Sequence, residues 1–349
     1  MDRKYRLTGG FSSLGEFLVA IRRHTDGKQA SGKLTTWVQK VQSESTDSAG
    51  GFLVPEQFAT EIYGAVMEAS IVRSRAIGHK MLSDTLNIPV LVDSDRSSSI
   101  FGGITTSWLE EAGDKTTGET DPVLGNLKLT AKELVASTYV GNNLEDDYEG
   151  GARKPFEDFI KIAFGRAIAF EEDDAFIWGN GVGQPLGIMN SSGIITPARA
   201  GIGKVDITDI GTLASRLLPG SWASAVWMIS QSVLLEYVNM TASAANSQSV
   251  VNLNTMTILG RPIIVTEKCQ TAATLGDIIL ADWKNGYVVG DRQLEIAGSR
   301  DVPSGGFLDN KTFWRIVMRV DGQPVLNAAI TPRRGGSTLS HFVALTTTS

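Results

Sequence analysis

The stretch Gly150–Gly187, GGARKPFEDFIKIAFGRAIAFEEDDAFIWGNGVGQPLG, sets the frame into which the remaining segments must fit. Pro155 stands where a first helical position belongs, and Glu157 and Asp158 follow in the first turn, where carboxylates complement the helix dipole. Phe156, Phe159, Ile160, Ala163, Ala167 and Phe170 then recur at spacings of three and four, with no proline before Gly179-Asn180-Gly181. The spacing predicts a helix about 35 Å long, apolar along one stripe, against which a sheet can pack. Gly179, Gly181 and Gly183 imitate a dinucleotide-binding turn, but that fingerprint follows a strand and opens a helix, whereas here the order is reversed. They read as a glycine C-cap entering a tight loop that ends at Pro185-Leu186-Gly187.

Working outward, Leu127–Leu134 and then Val140–Asp146 precede this helix, and Leu259-Gly-Arg-Pro-Ile-Ile-Val265 follows it. A long helix ending in an acidic cluster, a Gly-Asn-Gly turn and then Gln184-Pro185-Leu186-Gly187-Ile188 resembles the tailed-phage major capsid proteins of the HK97 type. Leu127–Leu134 with Val140–Asp146 are similar to that family's strand pair ahead of the spine helix, Leu259–Val265 to a later strand, and Asp282-Trp283 through Gly290-Asp291-Arg292 to its late loop, in the same order over residues 52–332.

The resemblance implies an α+β, HK97-like capsid fold. Its parts would be an N-terminal arm (1–51), a P-domain (52–85 and 131–187, with the spine helix), an extended E-loop (86–130), an A-domain (188–290), and a return to the P-domain with a C-terminal tail (291–349). It implies a major capsid protein of a tailed double-stranded DNA phage, self-assembling as hexamers and pentamers of an icosahedral shell. Implied partners are further copies of the chain, a portal protein, a scaffolding protein, a cement or decoration protein, and packaged double-stranded DNA bound non-specifically. The implied location is the virion, assembled in the host bacterial cytoplasm. Two other readings stand beside it: an encapsulin-type nanocompartment shell on the same fold, and a soluble α/β enzyme with a long lid.

Composition narrows the classes. The chain has 349 residues, is 42% hydrophobic and carries a net charge of −6, which suits folded lobes with cores and not a general nucleic-acid binder. A single cysteine, Cys269, permits no internal disulfide, and His24, His79 and His341 form no zinc-ligand pattern, so no metal site is expected. No run of 18 apolar residues suggests a membrane span, and no apolar signal core opens the chain. Charge is uneven: residues 1–40 carry +5, leaving −11 for the rest, which suggests a basic arm meeting acidic surface or DNA.

Within that arm, Ser13-Leu-Gly-Glu16 is a capping-box pattern ahead of Leu14, Phe17, Leu18 and Ile21, which predicts a short amphipathic helix that must dock on its own domain or on a neighbour. Gly27–Lys33 nearly matches a phosphate-binding loop, but Leu34 replaces the metal-binding hydroxyl and no buried strand precedes it. A polar linker, Ser43–Gly51, closes the arm. Beyond it, a helix is expected over Glu56–Ser70, and strands over Leu86–Val92, Ser107–Ala112 and Val123–Thr130 enclose a long acidic hairpin too polar to bury a core of its own. Further on, helices at Asp206–Leu218 and Gln231–Met240 alternate with strands at Ala223–Ser230, Pro262–Val265 and Ile278–Ala281, which argues for a mixed α/β lobe. Phe313–Val320 and Val325–Ile330 read as a closing hairpin about Asp321-Gly322.

The best enzymatic candidate is Glu171-Glu172-Asp173-Asp174. Consecutive helical residues point in different directions, and the dipole opposes negative charge near a C-terminus. The cluster is therefore expected as a solvated face or a salt-bridged contact with another subunit. There is no G-x-S-x-G elbow and no H-E-x-x-H, and Cys269 has no histidine near it in sequence, so no catalytic or cofactor-binding residue is expected. Inter-subunit contacts are expected instead from Arg22, Arg23, Trp108, Glu110, Glu111 and Lys115, together with Glu171, Glu172, Asp173 and Asp174. Some members of the family join subunits by an isopeptide bond between a lysine and an asparagine, assisted by a glutamate. Here Lys115 and Glu295 would match the first and last, but Asp291 stands in the asparagine's place, which implies no cross-link.

Overall fold

A computed structural model describes residues 8–25, 31–41, 52–91, 93–97, 100–101, 104–106, 108, 124–141, 153–201, 204–243, 250–252, 254–299 and 311–347. Along the chain the elements are α1 (Leu14–Thr25), α2 (Gly32–Val41), β1 (Phe52–Leu53), α3 (Glu56–Ala69), β2 (Ile77–Lys80), β3 (Thr85–Leu91), β4 (Ile100–Phe101), β5 (Ile104–Thr105), β6 (Leu124–Thr130), β7 (Lys132–Gly141) and α4 (Arg153–Trp178). There follow α5 (Ile207–Ser215), β8 (Val226–Ile229), α6 (Gln231–Ser243), β9 (Val251–Asn252), β10 (Thr257–Ile258), β11 (Arg261–Val265), β12 (Ile278–Ala281), α7 (Trp283–Gly286), β13 (Tyr287–Ser299), β14 (Lys311–Pro324) and β15 (Phe342–Ala344). They divide into two compact units, one made of Met1–Ser74, Ala131–Asp173 and Asp291–Val320, the other of Arg75–Thr130, Asp174–Gly290 and Asp321–Ser349.

In the first unit the strands run in the order β1-β13-β14-β7. β14 lies antiparallel to β7 over ten residue pairs, from Lys311↔Gly141 to Val320↔Lys132. Along β14 the side chains of Thr312, Trp314, Ile316, Met318 and Val320 are buried, the period-two pattern of a strand with one face on a core. The expected long helix is α4, with Ile160, Phe164 and Ile168 buried at intervals of four. It crosses α3 closely at Gly165, where a Cβ would stand 2.8 Å from the Cβ of Ala65. Helix α1 docks on its own unit: Leu14, Phe17, Leu18 and Ile21 are fully buried, and the Phe17 ring lies 6.3 Å from that of Phe58. Each such side chain contributes about 1.5–3 kcal/mol relative to exposure, which an isolated helix of 12 residues lacks. The Ser13 hydroxyl accepts the Glu16 N–H as the capping pattern requires, while the Glu16 carboxylate turns to Ser12 and Lys33. Against the burial that would raise it, those partners hold the Glu16 carboxyl down to about 2.

In the second unit a six-stranded sheet runs β15-β12-β8-β11-β10-β9, with β11 parallel to β8 and β12 antiparallel to both β8 and β15. Every residue of β8 and β12 is buried, the unbroken apolar run of strands covered on both faces. Trp227, Ile229, Leu280 and Val343 pack there with Ile210 and Leu213 of α5 and Val233 and Tyr237 of α6.

Two expectations are corrected. Asp321-Gly322 is not a turn: β14 runs straight through it, and residues 325–330 form no returning strand. Asp321 is fully buried and its carboxylate accepts the Thr130 N–H at 2.7 Å, while a Cβ on Gly322 would stand 2.7 Å from the Tyr287 ring. A close approach, and not a reversal, requires glycine there. The chain's last strand accordingly pairs with β12 in the six-stranded sheet instead of returning to the sheet of the spine helix. The expected strand Ser107–Ala112 lies outside the described residues except for Trp108.

Candidate assembly surfaces

β3 and β6 form a two-stranded antiparallel ladder of seven pairs, Thr85↔Thr130 to Leu91↔Leu124. It is tied down at both ends. Leu129 is fully buried, a Cβ on Gly290 would meet Met81 at 2.7 Å, and Arg96 and Thr331 exchange backbone hydrogen bonds with the facing segment, Arg96 N–H to Thr331 O and Thr331 N–H to Ser94 O, both 2.9 Å. Asp93 pairs with Arg96, whose guanidinium stacks 4.9 Å above the Phe101 ring. Along the ladder one face is exposed, Leu124 by 68%, and the other is half-buried or buried; beyond it Phe101 and Ile104 are about half exposed and Trp108 completely. A two-stranded ribbon has no core of its own, and a fully solvated tryptophan is the largest apolar surface a single residue can leave in water.

The second surface lies in the first unit. A groove of about 490 Å³ runs between α4 and β7, lined by Leu134, Ala136, Phe164, Ala167 and Ile168, with Glu171 among its walls. β7 is hydrogen-bonded to β14 on one side and forms the edge of its sheet among the described residues. Val135, Tyr139, Ile162 and Phe170 around it are about half exposed.

The acidic end of α4 divides by direction, as helical geometry demands. Glu171 is exposed and Asp174 half-buried, but Glu172 and Asp173 turn inward. Arg73 grips Glu172 through Nε (2.9 Å) and Nη2 (2.5 Å), and holds both oxygens of Asp291 through Nη1 at 2.7 and 2.6 Å. Asp173 accepts from the Ser70 hydroxyl (2.6 Å) and from the N–H groups of Ile71 (2.7 Å) and Val72 (3.0 Å), capping the turn after α3. Burial pushes the Glu172 carboxyl up to about 7 although Arg73 pulls it down, and the two carboxylates raise Arg73 despite its burial. Two of the four acids are therefore internal struts, which corrects their expectation as a solvated face or a subunit contact.

The family model for the Phage capsid family matches residues 50–334. The chain belongs to that family. Among solved structures, this capsid protein is similar to the capsid of a native GTA particle, with a TM-score of 0.59 at 17% identity over 88% of this chain and 95% of that one. The empty GTA particle gives 0.60 at 16% identity, covering 90% and 98%. The structure titled for Mycobacterium phage Adephagia gives 0.54 at 16%, covering 80% and 91%. Identity this low speaks for the fold alone, and that fold is the α+β, HK97-like capsid fold. No curated protein matches the sequence.

Of the ten residues expected at contacts in the capsid protein, Trp108 and Glu171 are exposed, and so is Arg23. Arg22 is buried in its own chain, and of the two docking places expected for the apolar stripe of α1 it is the chain's own unit that fills it. Glu110, Glu111 and Lys115 lie outside the described residues.

One constellation escaped sequence reading. The Ser221 hydroxyl lies 2.6 Å from His341 Nδ1, and Asp282 Oδ2 lies 3.8 Å from the same nitrogen. A proton relay needs serine and aspartate on opposite ring nitrogens, so this is no hydrolase triad. Asp282 instead caps α7 through the Asn285 N–H and takes the Ser224 hydroxyl at 2.7 Å, and burial draws the His341 pKa down. These residues lie 58 to 120 positions apart, and no local motif announces them. Among the described residues no cluster of His, Cys, Asp or Glu could hold a metal, and no helix is long and apolar enough to cross a membrane.

Proposed function

We propose that this capsid protein is a non-catalytic shell subunit that assembles as hexamers and pentamers into a closed icosahedral particle around double-stranded DNA, with the β3–β6 arm reaching a neighbouring copy. The observation that carries the reading is the arm itself. It is held at Thr130 and at Ser94 and Arg96, keeps one face of its ladder in water, and leaves Phe101, Ile104 and Trp108 exposed beyond that ladder, apolar surface that another subunit would bury. Portal, scaffolding and cement or decoration proteins are the further partners this role calls for, in a virion assembled in the host cytoplasm. Shell strength comes without covalent joints: Asp291, in the place of a cross-linking asparagine, is engaged by Arg73 on both oxygens, and an ionised carboxylate is a poor acceptor for an amine.

Sedimentation and negative-stain imaging of purified protein test the reading. Capsomers or closed particles are expected, and replacing the arm's tip by Gly-Ser should leave the units folded while particles fail or become fragile. A chain that stays monomeric under every assembly condition, or a tip variant with unchanged particle yield, overturns it.

A further inference from the structure

The last segment of the chain carries charge of one sign. From Gly322 to Ser349 there is no aspartate, glutamate or lysine, and the two arginines, Arg333 and Arg334, are adjacent. In a chain of net charge −6 this leaves −8 for residues 1–321. Both arginines are exposed and have no carboxylate partner among the described residues.

They sit on a turn whose feet are fixed within the second unit. Ile330 and Leu339 exchange both backbone hydrogen bonds at 2.8 Å, and Thr331 is held by Ser94 O and by the Arg96 N–H, each at 2.9 Å. Ser340, fully buried, donates its hydroxyl to Gly193 O at 2.5 Å and its N–H to Arg216 O at 3.0 Å. At the tip Gly335 and Gly336 take φ of +77° and +107°, which glycine adopts without strain, and a Cβ on either would meet nothing within 4 Å. Two unpaired guanidinium groups are thus held on a firm mount in open space.

We propose that this turn is the subunit's contact with packaged DNA, with Arg333 and Arg334 binding phosphate oxygens of the duplex backbone. The inference rests on the shell reading above and names the residues that meet the genome. The planar guanidinium fork matches phosphate geometry. Beside the arginines the tip offers only Gly335, Gly336 and Ser337, with no aromatic or large aliphatic side chain of the kind that anchors a protein partner. Phosphate contacts carry no sequence information, which suits a shell that encloses a whole genome. The acidic remainder repels DNA, so the contact must be local. The basic N-terminal arm is the poorer candidate, because Arg22 is buried in its own chain and Lys33 is paired with Glu16 at 2.5 Å.

Two phosphates make a weak contact. At about 0.9 counterions released per phosphate, raising salt from ~50 to ~200 mM weakens it about twelvefold. Repetition over every copy of a shell then lets the contacts act together.

The test measures binding of a labelled duplex of random sequence to wild-type capsomers by fluorescence anisotropy. Changing Arg333→Ser and Arg334→Ser together should lower affinity at least tenfold at ~50 mM salt and take about 1.8 from the log–log salt slope for each copy engaged. Empty shells of this variant should form in wild-type yield and melt within about 2 °C of wild type, as surface substitutions do. A second variant does not depend on affinity: with Ser337 replaced by p-azidophenylalanine, irradiated genome-filled particles should hold chains at the top of a denaturing gel until nuclease releases them. Wild-type chains that form no capsomers or particles sink the shell reading and this contact with it. Particles whose photolinker joins no DNA, or joins another copy or a different protein, sink this contact alone. So does a double arginine variant with unchanged affinity and salt slope, or one whose empty shells fail.

Discussion

Replacing Arg73 by alanine should expose how the first unit is held. The change leaves Glu172, with 1% of its side chain exposed, without its ion-pair partner. Removing one member of a buried pair costs about 3–5 kcal/mol where the charge left behind would be ionised, here above about pH 7, which at ~2–4 °C per kcal/mol for domains of 150–250 residues is a fall of roughly 6–20 °C in the melting midpoint there. The pH dependence sharpens this. The folded carboxyl, at about 7, lies above its ordinary 4.5, so its contribution is full below about 4.5 and is lost as pH rises through 7. In wild type that loss stops near pH 7, where Glu172 ionises beside Arg73. In the variant nothing steadies the carboxylate, so the acid stays protonated to higher pH and the loss continues at about 1.4 kcal/mol per pH unit. Urea unfolding of the unassembled chain at pH 6, 7, 8 and 9 reads the gap between the two proteins. It should be level up to pH 7 and then widen by about 1.4 kcal/mol per unit, and adding Glu172→Gln to the variant should flatten it. A gap under about 1 kcal/mol throughout, the scale of an exposed pair, or one that does not change with pH, refutes the reasoning.

Gly322→Ala should cost about 1–3 kcal/mol by overpacking, since the new methyl meets the Tyr287 ring at 2.7 Å; a thermal melt within error of wild type would return this dipeptide to the role of a flexible turn. Cys269, whose thiol burial pushes up to about 12, should resist a maleimide at pH 8 until urea unfolds the chain, as a time course of labelling would show. Lys33→Met should cost under about 1 kcal/mol, because its partner Glu16 is partly solvated, and should bring the Glu16 carboxyl up from about 2 toward 4.5, measurable by NMR titration. Boiled particles should run as single chains in a denaturing gel; multimers would show that Asp291 does not block the isopeptide step.

What the sequence disclosed was what local pattern can carry. The spine helix, the β3–β6 arm and the buried strands β8 and β12 each announce themselves by periodicity or by a continuous apolar run. Helix α2 did not, because Thr35, Thr36 and Val38 are β-branched and disfavour helix by propensity; burial of Leu34 and Trp37, and the Trp37 indole N–H bound to Leu53 O at 3.0 Å, override it. Asp321-Gly322 misled for a different reason. Its two residues serve tertiary neighbours, Thr130 and Tyr287, that no window of sequence contains. The acids at the end of α4 were visible as a cluster, but only the placement of Arg73, 99 residues upstream of Glu172, decides which of them face inward.

The strand β1 finds its ladder partner at Glu295 and Ile296, and Arg73 finds Asp291 only 218 residues later. At the ~5–20 residues per second of ribosomal synthesis, the opening fifth of the chain, Met1–Ser74, waits roughly 10–40 s for the segment that completes its unit. During that time helices α1 and α3 carry Phe17, Phe58 and Ile62 with part of their eventual cover still unmade. A particle built from many copies multiplies this delay by every chain in production at once. The nascent protein is thus most vulnerable to sticking to its siblings during translation, before assembly has begun.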